Sequence, residues 1–295
     1  MAKSDNKNAR PADTNANNEE GKNLPATAKA NELVGQTMSS EMESAFGDMA
    51  DLGSGLENVT SKDILIPRLT ILQALSPQLD PNAPEYDEDA RAGNIYDVGL
   101  QEILGNSVEI IPVHYVKQWL EWAPRASGKG LIRIHDTDDI LAETTPDERK
   151  RPVTKDGNYI AETAQFFVLN LSSNPKLRKS FIPMASTQLK KAKRLLTLAT
   201  GERLVNRLGV EYVPPLFYRT YTLGTVPESN AEGRWVGWTI ERGPAIDQLP
   251  NWEKIVMEIR NFREALTKGD IKADIASMQN EAGTSGGGHD ENGRM

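Results

Sequence analysis

Apolar and polar residues alternate along Val108–Trp122, and this alternation predicts the longest strand of the chain. Val108, Ile110, Val116, Leu120 and Trp122 share one parity and should face a core. Tyr115, Lys117 and Trp119 share the other parity and should point away from it. Pro112 has no amide hydrogen for a ladder, so an edge position or a bulge is expected there. A turn at Ala126–Gly130 leads to a short returning strand, Leu131–His135. Gln165–Leu171 and Leu177–Pro183 read as a second hairpin around Ser172–Pro175. Leu216–Val226 and Arg234–Glu241 read as a third, joined by Pro227–Gly233.

Helical spacing replaces alternation in two places. Ser186 is placed to N-cap a helix with Leu189, Ala192, Leu195, Leu196 and Ala199 as its apolar stripe and Gly201 as its stop. Trp252, Ile255, Val256, Ile259, Phe262 and Leu266 mark a second helix, with Pro250 before it and Gly269 just past it. The order is strand, strand, hairpin, helix, hairpin, helix, which predicts a β-rich α+β fold. It is compatible with an OB-like small antiparallel barrel carrying an inserted helix and a C-terminal helix, and with other mixed β-rich folds.

Ordered structure should begin near Ile64, where the apolar run Ile64–Leu72 is broken by Pro67. Residues 1–60 have ten acids, five bases and Phe46 as their only aromatic, too little apolar surface to offset chain entropy. They are expected to form a disordered acidic region, with a weak helix over Ala28–Met49. Residues 61–269 form the expected OB-like domain. Residues 270–295, with Gly286–Gly288, read as a flexible tail.

Composition narrows the class. The 295 residues allow one large domain or two small ones. The chain has no cysteine, which excludes disulfides and thiolate metal sites and fits a reducing compartment. No apolar run approaches membrane-spanning length, and Met1–Gly21 has no signal-peptide core. A soluble cytoplasmic protein is expected.

Charge changes the picture more. The net charge is −8, yet Lys176–Arg207 holds nine bases and one acid, Glu202. A confined cationic stripe on an acidic chain points to a groove for a polyanion, to an acidic partner, or to a solvated helix face. Lys190, Lys191, Lys193 and Arg194 lie on the helix, and Arg178 and Lys179 on the hairpin before it. Arg125, Lys129 and Arg133 surround another turn, and Arg219 and Arg234 lie on the last strand pair. Single-strand binding combines such charges with aromatic faces on which bases stack. Strand parity offers Tyr115, Trp119, Tyr218 and Trp235 as outward aromatics and assigns Trp122, Trp238 and Trp252 to the core.

Other chemistry finds little support. His114, His135 and His289 are scattered, without ligand spacing, so no metal site is expected. Gly128-Lys129-Gly130 lacks the spacer and the following Ser or Thr of a phosphate loop. No Gly-x-Ser-x-Gly elbow is present, and Asp136, Asp138 and Asp139 read as solvated loop charge. No cofactor is implied.

Several stretches together resemble bacteriophage single-stranded DNA-binding proteins of the OB fold. They are Ile66–Gln73 with Ser76-Pro77, Gly93–Tyr96, Glu109–Val113 running to Trp119–Trp122, Ser186–Lys190, Pro214–Phe217 and Gly233–Trp238. The resemblance implies an OB core over about Asp63–Gly269 that coats displaced single strands during replication or recombination, with replication or recombination proteins as possible partners. Such proteins often end in a strongly acidic tail closing on an aromatic. Here the tail is weakly acidic and ends Arg294-Met295. The expected function is non-catalytic, sequence-tolerant single-stranded DNA binding. A strand-annealing recombination protein and a virion structural or assembly protein are the alternatives, and oligomeric state is left open.

Overall fold

The computed structural model describes residues 65–273 except 174, 175, 232, 270 and 271, together with Gly55, Glu57, Asn58 and Asp63. The expected helix at Ala28–Met49 lies outside the described residues. Ten elements frame the fold. They are β1 (Leu69–Ile71), β2 (Ile95–Asp97), β3 (Ser107–Trp122), β4 (Leu131–His135), β5 (Tyr159–Asn170), β6 (Arg178–Ala185), α1 (Leu189–Thr200), β7 (Arg219–Asn230), β8 (Gly233–Ala245) and α2 (Trp252–Lys268). The fold is β-rich α+β, a curled antiparallel half-barrel sheet with two helices.

The sheet is organised around β3. β5 pairs along β3 from Ile110↔Asn170 to Trp122↔Tyr159. On the other edge of β3, β7 takes the N-terminal end (Ser107–Ile110) and β4 the C-terminal end (Trp119–Trp122). β6 extends the sheet beyond β5, and β8 extends it beyond β7. The order across the sheet is β8-β7-β3-β5-β6, with α1 falling in the chain between β6 and β7.

A bulge in β3 corrects the single-face reading of this strand. The register with β5 shifts between Pro112 and His114, so the side chains beyond it change sides. Val108 and Ile110 join the inner core, whereas Val116, Leu120 and Trp122 join an outer one with Ile111 and Val113. The inner core gathers residues from β1, β2, β3, β5, β6, β7 and β8, and is closed by Ala192, Leu195 and Ala199 of α1. In the outer core, Ile255, Ile259 and Phe262 of α2 pack over Phe167, Leu169 and Phe181. β3 is therefore buried on both sides.

Several boundaries differ from expectation. Ser186 does not cap α1. It opens a 3-10 turn, Ser186–Gln188, at φ 52°, and no side chain caps the helix start. Pro214 and Pro215 are followed by a 3-10 turn at Leu216–Tyr218, so β7 starts only at Arg219. β7 and β8 then run to a tight turn between Asn230 and Gly233, making the hairpin longer than the alternation suggested. Trp252, expected in the core, is 41 % exposed at the first position of α2. Lys272–Ala273, within the expected tail, pairs in parallel with Leu65–Ile66.

Residues 67–73 lie between the free edges of β6 and β8. Arg68 forms a parallel bridge to Phe181, whose N–H donates to the Pro67 carbonyl at 3.0 Å. At the other end, the Gln73 side chain bonds to the backbone of Val236.

Candidate nucleic-acid interface

α1 exists because its buried stripe recurs at helical spacing, which leaves Lys190, Lys193 and Arg194 together on the opposite, exposed face. Their spacing of three and four residues places like charges side by side, which disfavours the helix. The helix dipole disfavours them further, because they sit near the positive end and the first turn holds no acid. None of the three has an ion-pair partner among the described residues. An anion bound there would offset both penalties.

Lys191 turns the other way. Its Nζ bonds Glu228 Oε1 of β7 at 2.6 Å, while Trp235 Nε1 of β8 donates to Oε2 of the same carboxylate at 2.9 Å. Burial alone would push this carboxyl upward, but the bonds from Lys191, Trp235 and Gln188 together hold it below its ordinary value. Gly237 makes room for the arrangement, since a Cβ there would collide with the Glu228 carboxylate. Gln188 joins it from the turn before α1, its Oε1 accepting from the Trp238 N–H at 3.0 Å. Of the α1 cations it is Lys191 that thus reaches the half-buried Trp235, through the Glu228 carboxylate they share, where α1 packs against the β7–β8 hairpin. Arg234 is exposed next to Trp235.

The remaining expected site residues go elsewhere. Trp119 is only 9 % exposed, so its outward placement is corrected. The exposed Lys117 lies with Nζ 5.6 Å from the Trp119 ring centroid. Tyr115 packs on the inner core, 5.1 Å from Phe166, because the bulge turned it inward. Tyr218 is half-buried in its 3-10 turn, with the Arg219 guanidinium 5.3 Å from its ring centroid. Arg219 is held by Glu202 through Nε–Oε2 and Nη2–Oε1 bonds, both 2.6 Å. Arg178 Nη1 bridges Glu102 at 2.7 Å and the buried Asp97 at 3.3 Å, tying β6 to the β2 layer. Burial raises the Asp97 carboxyl above its ordinary value, against the Leu100 N–H and Arg178. Lys179 lies on the far face of the sheet, 5.7 Å from the Phe262 ring centroid of α2. Lys129 is exposed in the β3–β4 turn, and Arg125 falls in the 3-10 turn Arg125–Ser127.

The expected stripe is therefore divided. α1 keeps Lys190, Lys193 and Arg194 exposed and meets the β7–β8 hairpin through Lys191, while Arg178 and Arg219 serve internal ion pairs. Sequence reasoning missed Glu228, Gln188 and Gln73. The signal for Glu228 was hairpin register: with the turn between Asn230 and Gly233, it stands opposite Trp235.

A model of the Pam3 phage gp34-like protein matches residues 34–272. The chain belongs to the Pam3 phage gp34-like protein family. The match takes in all ten framing elements of this gp34-like chain, from β1 to α2. No curated protein and no solved structure matches it. Among the described residues of this gp34-like protein, no helix is long and apolar enough to cross a membrane.

Proposed function

We propose that this phage protein binds single-stranded DNA without catalysis and with little sequence preference, in the host cytoplasm, during replication or recombination. The fold supports the reading through its topology. Five main strands in the order β8-β7-β3-β5-β6, with a helix between the third and fourth in the chain, are compatible with an OB-like barrel left open between its third and fifth strands. Residues 67–73 occupy that opening.

The interface proposed is not the outer sheet face that OB proteins commonly use, because α2 covers β5 and β6 there. It is the corner formed by Lys190, Lys193 and Arg194 with Lys191, Arg234 and Trp235. One observation carries the reading: an unpaired cationic row near the N-terminal end of a helix, where both neighbours and dipole disfavour it, on the same helix whose Lys191 shares the Glu228 carboxylate with the half-buried Trp235. The row would track phosphates, and Trp235 would stack a base.

The test is quenching of tryptophan emission by oligothymidylate at two salt concentrations, with duplex DNA as control. Steep salt dependence and a preference for the single strand are expected. Unchanged emission, or an affinity insensitive to reversing Lys190, Lys193 and Arg194 to glutamate, would overturn the proposal.

A further inference from the structure

The chain leaves α1 through Gly201 and forms a small hairpin before reaching Pro214. Leu204–Val205 pairs antiparallel with Glu211–Tyr212. The turn is tightly built. Asn206 N–H donates to the Val210 carbonyl at 3.0 Å, and its side-chain oxygen accepts from the N–H groups of Leu208 at 2.9 Å and Val210 at 3.0 Å. Gly209 supplies φ 79°. Yet every residue from Val205 to Val213 is exposed, with Leu208 at 87 % and Val205 at 62 %. Neither side chain belongs to any core of the described residues. A lone two-stranded hairpin is marginal in water, and an arm whose apolar side chains face solvent gains stability only when something covers it.

Charge complementarity identifies the cover. From Glu202 to Val213 there are two bases, Arg203 and Arg207, and two acids, Glu202 and Glu211, and Glu202 is already engaged by Arg219. Between Arg68 and Arg91 the reverse holds: Asp80, Glu85, Asp87, Glu88 and Asp89 stand without a base. In the same stretch Leu75 is 64 % and Tyr86 46 % exposed. With Glu202 paired, the arm is apolar with an excess of one positive charge, the 75–89 surface is apolar and acidic, and neither covers the other among the described residues.

We infer that residues 202–213 form a self-association arm that docks onto the 75–89 surface of a second copy. Arm and receptor are different patches, so the contact is head-to-tail and repeats into rings or open filaments. Val205, Leu208 and Val210 would meet Leu75 and Tyr86, and Arg203 and Arg207 would face the acids.

The experiment is sedimentation of the full chain, nuclease-treated and free of nucleic acid, over a range of concentrations and at low salt. The expected result is a mass rising above that of one chain with concentration. Leu208→Asp, on a solvent-exposed turn, should leave the circular dichroism unchanged and weaken association at least about ten-fold. Arg207→Glu should weaken it too, and Arg207→Glu combined with Glu88→Arg should restore it. A single-chain mass at every concentration, association indifferent to Leu208→Asp, or failure of the paired reversal to restore it would overturn the arm. Because no DNA is present, a chain that self-associates but ignores oligothymidylate would sink the DNA-binding reading and leave this one standing.

Discussion

The side-chain amide of Gln73 exchanges two hydrogen bonds with the backbone of Val236: Oε1 accepts from the Val236 N–H at 2.8 Å, and Nε2 donates to its carbonyl at 3.0 Å. A neighbouring strand would offer the same donor and acceptor. β8 is an edge strand, and a row of open backbone groups on such an edge invites pairing with another chain. Gln73 and Gln188 between them occupy the Val236 N–H and carbonyl and the Trp238 N–H. Together with the Pro67 and Arg68 contacts to Phe181, they let a short segment stand in for the missing β6–β8 ladder.

Gln73→Ala should therefore orphan two backbone groups at once. A loss of about 1–3 kcal/mol is expected in urea unfolding, with more light scattering from the folded protein as the edge is freed. Stability and scattering equal to those of the wild type would show that the amide is dispensable.

The elements themselves were legible in the sequence wherever one periodicity held. α2 fits its apolar spacing apart from the exposed Trp252, and Gly269 ends it at φ 70°, as its position suggested. β3 was legible as a strand, and Pro112 marked an edge position or a bulge, but its faces were misread because parity was carried straight through the point where the register shifts. Trp119 and Tyr115 were misplaced for that reason. Arg178 and Arg219 looked like free cations because Asp97, Glu102 and Glu202 are brought to them by tertiary folding, from as far as 81 residues away in sequence. Lys190, Lys193 and Arg194 are exposed as their place opposite the buried stripe suggested, whereas Lys191, read with them, is half-buried and paired with Glu228 across the β7–β8 hairpin.

Trp119 and Trp235 should separate cleanly. Trp119→Ala removes a nearly buried ring, and a loss of about 3–5 kcal/mol in stability is expected, with DNA affinity intact in the protein that remains folded. Trp235→Ala should cost about 1–3 kcal/mol in oligothymidylate affinity. Equal effects of the two on affinity would contradict the interface drawn here.

The Glu202–Arg219 pair makes stability depend on pH with a defined sign. The hydrogen bonds from Arg219 hold the Glu202 carboxyl below its ordinary 4.5 in the folded protein. A carboxylate depressed in this way adds stability that is fully present above its unfolded value and is lost as pH falls through the folded one. The advantage of the wild type over Glu202→Gln should thus be complete at neutral pH and shrink as pH drops below 4.5. Denaturant unfolding at a series of pH values measures it, and a gap that stays constant into acid would mean that the pair contributes nothing through its charge.

If the proposed corner binds DNA, Glu228 competes with it there. It neutralises Lys191 and holds the Trp235 ring by its N–H, so a phosphate approaching Lys191 must displace a carboxylate. Glu228→Gln keeps an acceptor for the indole N–H but removes the negative charge, which frees Lys191 for phosphate. Oligothymidylate affinity should rise, and the salt slope should steepen by about 0.7, the value for one more phosphate contact on a single strand. Reversal of Lys190, Lys193 and Arg194 should flatten the same slope by about 2, as three contacts are lost. If Glu228→Gln instead weakened binding, the carboxylate would be a positioning group for Trp235 rather than a competitor, and stacking rather than charge would dominate this corner.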